Sequence, residues 1–350
     1  MEIALDPGIT VLFGENAQGK TNLLEAVYVL GALRSFRAAR TEELVAHGAS
    51  EARLEATAER SGLRSRLEVV LRAGGRQARV DGKLARSVQA WFGALSVVLF
   101  APEHLALVRG SPALRRQLLD RATFALDPGH LAVLLDYQRT LRSRNAVLRD
   151  RPRDAEALLD VYDDRLASLG ARLVEGRIRT LGELAPHAAD AWRGFEAAAE
   201  LSLSYRSGET TREALREAFA ASRARDLARR LTSAGPHTDD LAISLAGRAA
   251  AQFASQGQAR AVVLALKIAE IRRLTGRLGD APVLLLDDVS SELDRIRSRQ
   301  LFEHVGAVGC QTLVTTTRPE QLELPEKPSI FQVVAGTVVR SVFVAGKGSA

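Results

Sequence analysis

The sequence predicts an α/β fold that is interrupted by a helical insertion, and three observations carry this prediction. Short apolar strands occur near both ends of the 350-residue chain. Residues 53–85 have alternating apolar positions and the turn signals Gly74-Gly75 and Asp81-Gly82, which is typical of an antiparallel meander. Strand signals nearly vanish between about residues 127 and 231. We therefore expect a mixed sheet with an antiparallel lobe and a separate helical domain.

The strands of the expected head are short and apolar. Ile9–Phe13 and Val97–Phe100 read as buried strands. Val283–Leu286 is a continuous apolar run, which is typical of a central parallel strand. Further strands are expected at Ile243 to Leu245, at Leu313-Val314, and in two late runs at 333–334 and 338–344.

The middle of the chain has a helical pattern. Leu159, Leu166 and Leu173 recur every seven residues over about two heptads, fewer than a confident coiled coil needs. A helical bundle or a short antiparallel helix pair fits this pattern better than a long rod. The predicted organisation is a head in two parts, residues 1–125 and 232–350, around a helical insertion domain at residues 126–231.

Composition excludes several classes of protein. No apolar run approaches the roughly 18 residues that span a bilayer, and the first residues lack a signal-peptide pattern, so we expect a cytoplasmic protein without a membrane partner. A single cysteine, Cys310, excludes an internal disulfide and a multi-cysteine zinc site. The net charge is +6 and arginine supplies almost all of the positive charge, which fits a polyanionic partner such as nucleic acid.

A phosphate-binding loop follows the first strand. The sequence from residue 14 to residue 21 matches G-x-x-x-x-G-K-T, with a strand before it and an apolar helical pattern after it. Such a loop surrounds phosphates with backbone N–H groups, its lysine reaches the β- and γ-phosphates, and its threonine binds Mg²⁺. The predicted ATP-binding residues are Gly14, Glu15, Asn16, Ala17, Gln18, Gly19, Lys20 and Thr21.

Two carboxylates end the apolar strand at Val283–Leu286. Asp287 is expected to hold Mg²⁺ together with Thr21, and Asp288 to orient the attacking water as a general base. With Lys20, these two residues form the predicted catalytic group. An aspartate at the general-base position is one methylene shorter than a glutamate, so we expect a slow Mg²⁺-dependent ATPase.

A capped helix start precedes the acidic strand. Ser255 is a good N-cap, and the run Ser255, Gln256, Gly257, Gln258 leads into an apolar helical pattern. Taken with the phosphate loop and the acidic strand, this run resembles the signature motif of the ABC-type ATPase heads. In the same resemblance, Asp294 stands where these heads carry their D-loop aspartate. The resemblance implies that both segments contact ATP and that ATP joins two heads.

Longer stretches resemble one family, the RecF family of bacterial recombination mediators. Residues 101–120 and 284–294 carry the resemblance, together with residues 235–241 and the run from Tyr137 to Asn145. Most ABC ATPases have a switch histidine after the strand at Leu313-Val314. This chain has three threonines there, Thr315, Thr316 and Thr317, and in this it resembles RecF-like chains. RecF-like chains also carry a Tyr/Phe-Arg-Asn segment before the first strand. This sequence lacks that segment, so part of the contact with the nucleotide base is left unassigned.

The resemblance implies a DNA-binding ATPase that dimerises with ATP. It implies action at gapped DNA or at single-strand/duplex junctions, where such a protein helps a RecA-type recombinase to load together with RecO and RecR. The alternatives are the ATPase subunit of a transporter and an SMC-like chromosome-organising ATPase. The long interval between Lys20 and Ser255 argues against the first, and the shortness of the helical segment argues against the second.

Arginine clusters are the candidate DNA contacts, and the sequence does not choose among them. No aromatic residues are interleaved with them, so recognition of the DNA backbone is favoured over base readout. The clusters are Arg115-Arg116, Arg139/Arg142/Arg144, Arg149/Arg151/Arg153, Arg223/Arg225 and Arg229-Arg230.

Overall fold

The computed structural model describes residues 2–38, 40–85, 91, 93–195, 199–288, 295–324 and 328–341. Its helices, which we number α1 to α9, are Lys20–Ala32, Ala106–Arg109, Pro112–Phe124, Gly129–Asp150, Ala155–Phe195, Arg212–Arg229, Ala250–Phe253, Gln256–Leu278 and Arg295–Val308. Its strands, β1 to β13, are Ile9–Phe13, Glu51–Arg60, Leu63–Arg72, Gly75–Val80, Lys83–Leu84, Val97–Phe100, Leu201–Arg206, Asp240–Leu245, Arg248–Ala249, Val283–Leu286, Thr312–Thr316, Ser329–Val334 and Thr337–Ser341. Short 3-10 helices lie at Thr41–Leu44, Pro102–Leu105 and Pro319–Gln321.

The chain divides into two compact units. Unit 1 comprises residues 1–104, 190–197 and 260–350, and unit 2 comprises residues 105–189 and 198–259. Unit 2 therefore extends beyond the predicted insertion, 126–231, at both ends. The reason is packing between α3 and β8, which the Arg115 guanidinium reinforces with two bonds to the Asp240 carboxylate, at 2.7 and 2.9 Å.

Unit 1 contains two sheets with helix α1 between them. The larger sheet has the order β13-β12-β1-β11-β10-β6, and only the pairing of β13 with β12 is antiparallel. The smaller sheet, β2-β3-β4-β5, is the predicted antiparallel meander. Leu24 and Tyr28 of α1 pack against the larger sheet, while Val29 and Leu30 pack against the meander. This two-sided burial explains why α1 is apolar on more than one face.

Unit 2 is a helical bundle with a small sheet. Helices α4, α5 and α6 share a core that includes Tyr137, Leu166, Leu173 and Phe219. Leu159, Leu166 and Leu173 are buried in this bundle, as their seven-residue spacing predicted. The expectation that the middle of the chain lacks strands was wrong, because β7 pairs antiparallel with β8 in the three-stranded sheet β7-β8-β9. Leu201, Leu203 and Tyr205 alternate inward on β7, but six residues give a weak signal.

Two buried ion-pair networks hold unit 2 together. Arg177 donates to both carboxylate oxygens of Asp120, at 2.7 and 2.8 Å, and to the carbonyl of Pro236 at 2.8 Å. Arg144 is fully buried and donates to Asp163 at 2.6 Å and to Asp226 at 2.8 Å. Buried charges are tolerated when each has partners of opposite sign, so these networks fix the helices relative to each other.

No helix in the described part of the chain is both long enough and apolar enough to cross a membrane. The 41-residue helix α5 is the longest, and charged residues recur along it.

Candidate functional site

The predicted catalytic residues of unit 1 lie at one edge of its larger sheet. Strands β1, β11 and β10 are neighbours and run parallel, so their carboxyl ends meet at this edge. The phosphate loop follows β1, Asp287 follows β10, and Thr316 ends β11. Ligands of open α/β sheets bind at the carboxyl ends of the strands.

The backbone of the phosphate loop needs glycine at two positions. A Cβ on Gly14 would lie 2.4 Å from the carbonyl oxygen of Val333, so only glycine lets β12 approach this closely. Gly19 has a φ of 102° and is the N-cap of α1, a left-handed conformation that glycine adopts at little cost. Of the four residues between them, residues 15 to 17 are exposed at the tip of the loop and Gln18 is half-buried.

Lys20 folds back onto the loop that precedes it. Its ammonium donates to the carbonyl oxygens of Gly14 at 2.8 Å and Glu15 at 2.7 Å, and the residue is only 8 % exposed. Burial lowers the pKa of Lys20, although the negative charges of Asp288, Asp287 and Glu15 oppose this shift. Neutral carbonyl groups are weaker partners for a cation than phosphate oxygens, so an anion can replace them.

Thr21 and the acidic strand end are joined by a chain of hydrogen bonds. The hydroxyl of Thr21 donates to Asp287 Oδ1 at 3.0 Å, and the hydroxyl of Thr315 donates to the same oxygen at 2.7 Å. The Thr315 hydroxyl also accepts from the backbone N–H of Asp288 at 2.9 Å. Asp287 and Thr315 are buried, so this geometry is fixed by the core of the sheet.

Thr315 is a site residue to which sequence reasoning gave no role. The sequence marks it only as the first of three threonines in place of a switch histidine. Its register in β11, beside β10, is what brings it to Asp287. A buried hydroxyl at the end of the neighbouring parallel strand is the signal that could have identified it.

The site fits a nucleotide phosphate and a magnesium ion. The N-cap Gly19 has no side chain, so the first N–H groups of α1 are left without a side-chain cap and can bind an anion. The oxygens of Thr21 and Asp287 are hard ligands of the kind that Mg²⁺ prefers. Among the described residues, no group of three or more His, Cys, Asp or Glu side chains could hold a metal ion. Magnesium that is held by one or two protein oxygens usually completes its shell with waters and substrate phosphates.

Gln18 contacts the hairpin that joins β12 and β13. Its side-chain oxygen accepts from the N–H of Ala335 at 2.7 Å, and its carbonyl accepts from the N–H of Gly336 at 2.9 Å. The phosphate loop is thus tied to the edge of the sheet, and the amide of Gln18 is used for this purpose. Its predicted contact with ATP stays a prediction that rests on its backbone.

The predicted signature run lies in unit 2 and forms a reciprocal cap. The N–H of Gln258 donates to the Ser255 hydroxyl at 3.1 Å, and the N–H of Ser255 donates to the side-chain oxygen of Gln258 at 3.0 Å. Ser255 and Gln256 are exposed at the start of α8. Arg109 donates to the carbonyl of Ala254 at 2.6 Å, which anchors the segment just before the cap. The predicted D-loop residue, Asp294, lies outside the described residues.

Comparison with known proteins defines the class. The sequence model of the RecF/RecN/SMC N-terminal domain matches residues 1–338. The fold is similar to that of an Smc head bound to the C-winged helix domain of ScpA, with a TM-score of 0.54 at 15 % identity over 96 % of this chain and 90 % of that one. At this identity the likeness shows the fold alone. The predicted fold class, an ABC-type ATPase head with an inserted helical domain, is confirmed.

Closer relatives define the family. The chain is 43 % identical to the DNA replication and repair protein RecF of Anaeromyxobacter sp. (strain Fw109-5), over 97 % of this chain and 94 % of the relative. It is 40 % identical to RecF of Geobacter sulfurreducens, over 97 % and 95 %. The chain belongs to the RecF family, so the resemblance found in the sequence is confirmed.

Solved structures agree with this assignment. The structure of the recombination mediator protein RecF-ATP in the RecFOR pathway has a TM-score of 0.87 at 29 % identity, with 97 % of this chain and 93 % of that one covered. The RecF-ATPrS structure has a TM-score of 0.89 at 30 % identity, with 97 % and 94 % covered. These likenesses support ATP binding by a chain of this fold.

Proposed function

We propose that this chain is a DNA-binding ATPase of recombinational and replication-gap repair. In this proposal ATP drives two copies together on DNA, and the complex works with RecO and RecR to help a RecA-type recombinase load. Membership of the RecF family supports the process, and the names of the solved relatives connect RecF with ATP and with the RecFOR pathway. The DNA partner makes the cytoplasm the expected location.

The observation that carries the ATPase part is the hydrogen-bond chain from Thr21 through Asp287 and Thr315 to Asp288. Thr21 and Asp287 would hold magnesium, which when bound offsets the negative charge of the phosphates. Lys20 exchanges its two carbonyl partners for β- and γ-phosphate oxygens. Asp288, fixed through its backbone, accepts a proton from the attacking water.

The dimer part rests on the exposed start of α8. The Ser255 hydroxyl occupies the N–H of Gln258 and orders this helix start, while the N–H groups of Gln256 and Gly257 have no partner within the helix and can bind an anion. We propose that this site binds the γ-phosphate of ATP held by a second copy, with Gln256, Gly257, Gln258 and Asp294 as neighbouring contacts. Two such shared nucleotides make an isologous dimer. ADP lacks the γ-phosphate and would not hold the two copies together.

Gel-shift and recombinase-loading assays test the proposal. The protein is mixed with a gapped duplex of arbitrary sequence in ATP, in ADP and without nucleotide, and then with RecO, RecR and a RecA-type recombinase on gapped DNA coated by single-strand-binding protein. We expect retention of DNA with ATP, release after hydrolysis, and faster recombinase loading. Failure to retain DNA in any nucleotide state, or no effect on loading, would reject the proposed function.

A further inference from the structure

The structure separates the arginine clusters into those that hold unit 2 together and those that do not. Arg115 is bonded to Asp240, and Arg144 is buried between two carboxylates. Arg116 donates to the carbonyl of Asp239, and Arg223 donates to Asp160 and Asp163. These guanidinium groups are used in the packing of unit 2, so they are poor candidates for a DNA surface.

Two of the clusters, distant in sequence, meet at one end of the helical bundle. Arg151 follows α4 and donates to the carbonyl of Leu227, near the end of α6, at 2.6 Å. Leu227 packs against a core formed by residues that include Leu148 and Leu159. The turn between α4 and α5 and the end of α6 therefore form one surface. We call the group Arg149, Arg151, Arg153, Arg229 and Arg230 the bundle tip.

The cations of the bundle tip point into water. All five residues are exposed. In the described part of the chain, Arg149, Arg153, Arg229 and Arg230 make no ion pair or hydrogen bond through their side chains, and Arg151 bonds a neutral carbonyl. In the two segments that carry the tip, residues 149–156 and 226–230, the carboxylates are Asp150, Asp154, Glu156 and Asp226, and Asp226 already bonds Arg144, so the five guanidinium groups outnumber the remaining three.

Helix stability accounts for only part of this arrangement. Arg149 and Arg229 lie in the last turns of α4 and α6, where a cation interacts favourably with the helix dipole. Arg151 and Arg230, however, are C-cap residues with φ of 48° and 57°. This left-handed conformation favours glycine or asparagine, and an arginine is disfavoured there. The sequence thus keeps a cation where the backbone favours a smaller residue.

We propose that the bundle tip binds the phosphate backbone of duplex DNA, an inference that rests on the DNA binding proposed above. Guanidinium groups match the geometry of phosphate oxygens, and several on one surface can follow a row of phosphates. Protein interfaces centre on apolar or aromatic anchors, whereas the tip consists of arginines, with the exposed Leu231 following Arg230 in the chain. The tip therefore reads charge and spacing, and it does not read bases.

The test compares two triple variants with equal loss of charge. The tip variant is Arg149→Gln/Arg153→Gln/Arg229→Gln, and the control is Arg165→Gln/Arg172→Gln/Arg206→Gln, made at exposed arginines elsewhere in unit 2. Fluorescence anisotropy with a labelled duplex, in ATP, gives affinity at a series of salt concentrations. Each lost phosphate contact lowers the slope of log affinity against log salt by about one, so the tip variant should lose about three.

We expect the tip variant to bind DNA at least about tenfold more weakly at physiological salt, and the control to stay within about threefold of the wild type. The variant Arg149→Lys/Arg153→Lys/Arg229→Lys keeps the charge and should restore the salt slope and part of the binding, because lysine neutralises a phosphate but lacks the planar guanidinium. The single change Arg153→Gln lies in a loop and should lower DNA affinity by a smaller factor. It replaces the triple variant in the test if that variant does not fold.

The outcomes separate this inference from the proposed function. A wild-type protein that binds no DNA rejects both. A wild type that binds DNA, with a tip variant of unchanged affinity and salt slope, rejects the bundle tip as the DNA site and leaves the proposed function standing. Equal weakening in the tip variant and the control would show a general effect of net charge and would also reject the bundle tip.

Discussion

Two buried cations, Arg177 of unit 2 and Lys20 of unit 1, are held in opposite ways. In unit 2, Arg177 and Asp120 satisfy each other, and Arg144 lies between two carboxylates. In unit 1, the ammonium of Lys20 bonds only two neutral carbonyl oxygens of the loop before it, among the contacts that the structure records. An ion pair that is complete within the protein fixes a shape, whereas a cation held by neutral groups can exchange them for a ligand.

Replacing Lys20 should break the nucleotide site without breaking the fold. Lys20→Met removes the cation that faces the β- and γ-phosphates, so ATP binding should weaken at least about a hundredfold, while stability changes by about 1 kcal/mol or less. Lys83→Met, at an exposed position in β5, is the control and should bind ATP normally. Titration of a fluorescent ATP analogue measures the difference. Unchanged affinity in Lys20→Met would show that the loop assignment is wrong.

Replacing Arg177 should have the reverse effect. Arg177→Met leaves Asp120 buried with less compensation, at a cost of about 3–5 kcal/mol of folding free energy. Chemical denaturation should show this loss. ATP affinity, measured at a temperature where the variant is still folded, should change little. If Arg177→Met lost as little stability as is expected of Lys20→Met, then the ion pair of Arg177 would not stabilise the fold more than the carbonyl contacts of Lys20 do.

The two acidic residues of the nucleotide site should differ from each other. Asp288→Asn removes the group that orients water, so ATP should stay bound while hydrolysis slows at least about a hundredfold. Asp287→Asn removes a proposed magnesium ligand and should instead make hydrolysis require more Mg²⁺. Single-turnover hydrolysis at several Mg²⁺ concentrations separates the two. Equal loss of ATP binding in both variants would contradict these roles.

The network of unit 2 should also give a modest dependence of stability on pH. Burial by itself raises the pKa of Asp120, but hydrogen bonds from His130 and Arg177 outweigh burial and hold the pKa below its usual value. The unfolded state then binds the proton more readily, so stability is present above about pH 4 and is lost as the pH falls further. Thermal unfolding from pH 6 to pH 3 should show this loss. Asp120→Asn, though less stable at pH 7, should show a shallower dependence, and an identical dependence would exclude Asp120 as its source.

Contiguous motifs made much of the site predictable. The phosphate loop and the acidic strand each lie within a few residues, and their strand and helix contexts are local, so the sequence could indicate both. Thr315 reaches Asp287 only through the pairing of β10 with β11. Strand β7 was missed because its alternation covers only six residues, and its pairing with the distant β8 adds no signal to a single sequence.

The arginines show the same limit. Arg144, Arg149 and Arg223 look alike in the sequence, yet Arg144 is fully buried, Arg223 is paired with two aspartates, and Arg149 is exposed. The packing of α4, α5 and α6 decides which of these arginines is buried, which is paired and which is exposed. Composition could therefore indicate a polyanionic partner, but it could not indicate the surface.

We expect ATP, and not ADP, to join two copies of this chain through Ser255. Sedimentation velocity of the wild type, of Lys20→Met and of Ser255→Arg, each in ATP, in ADP and without nucleotide, measures this. We expect a dimer only for the wild type in ATP. Ser255→Arg should still bind ATP at Lys20 but stay monomeric, because its bulk blocks the γ-phosphate of the second copy. A wild type that is equally dimeric in all three states, or a Ser255→Arg protein that dimerises with ATP, would contradict the account.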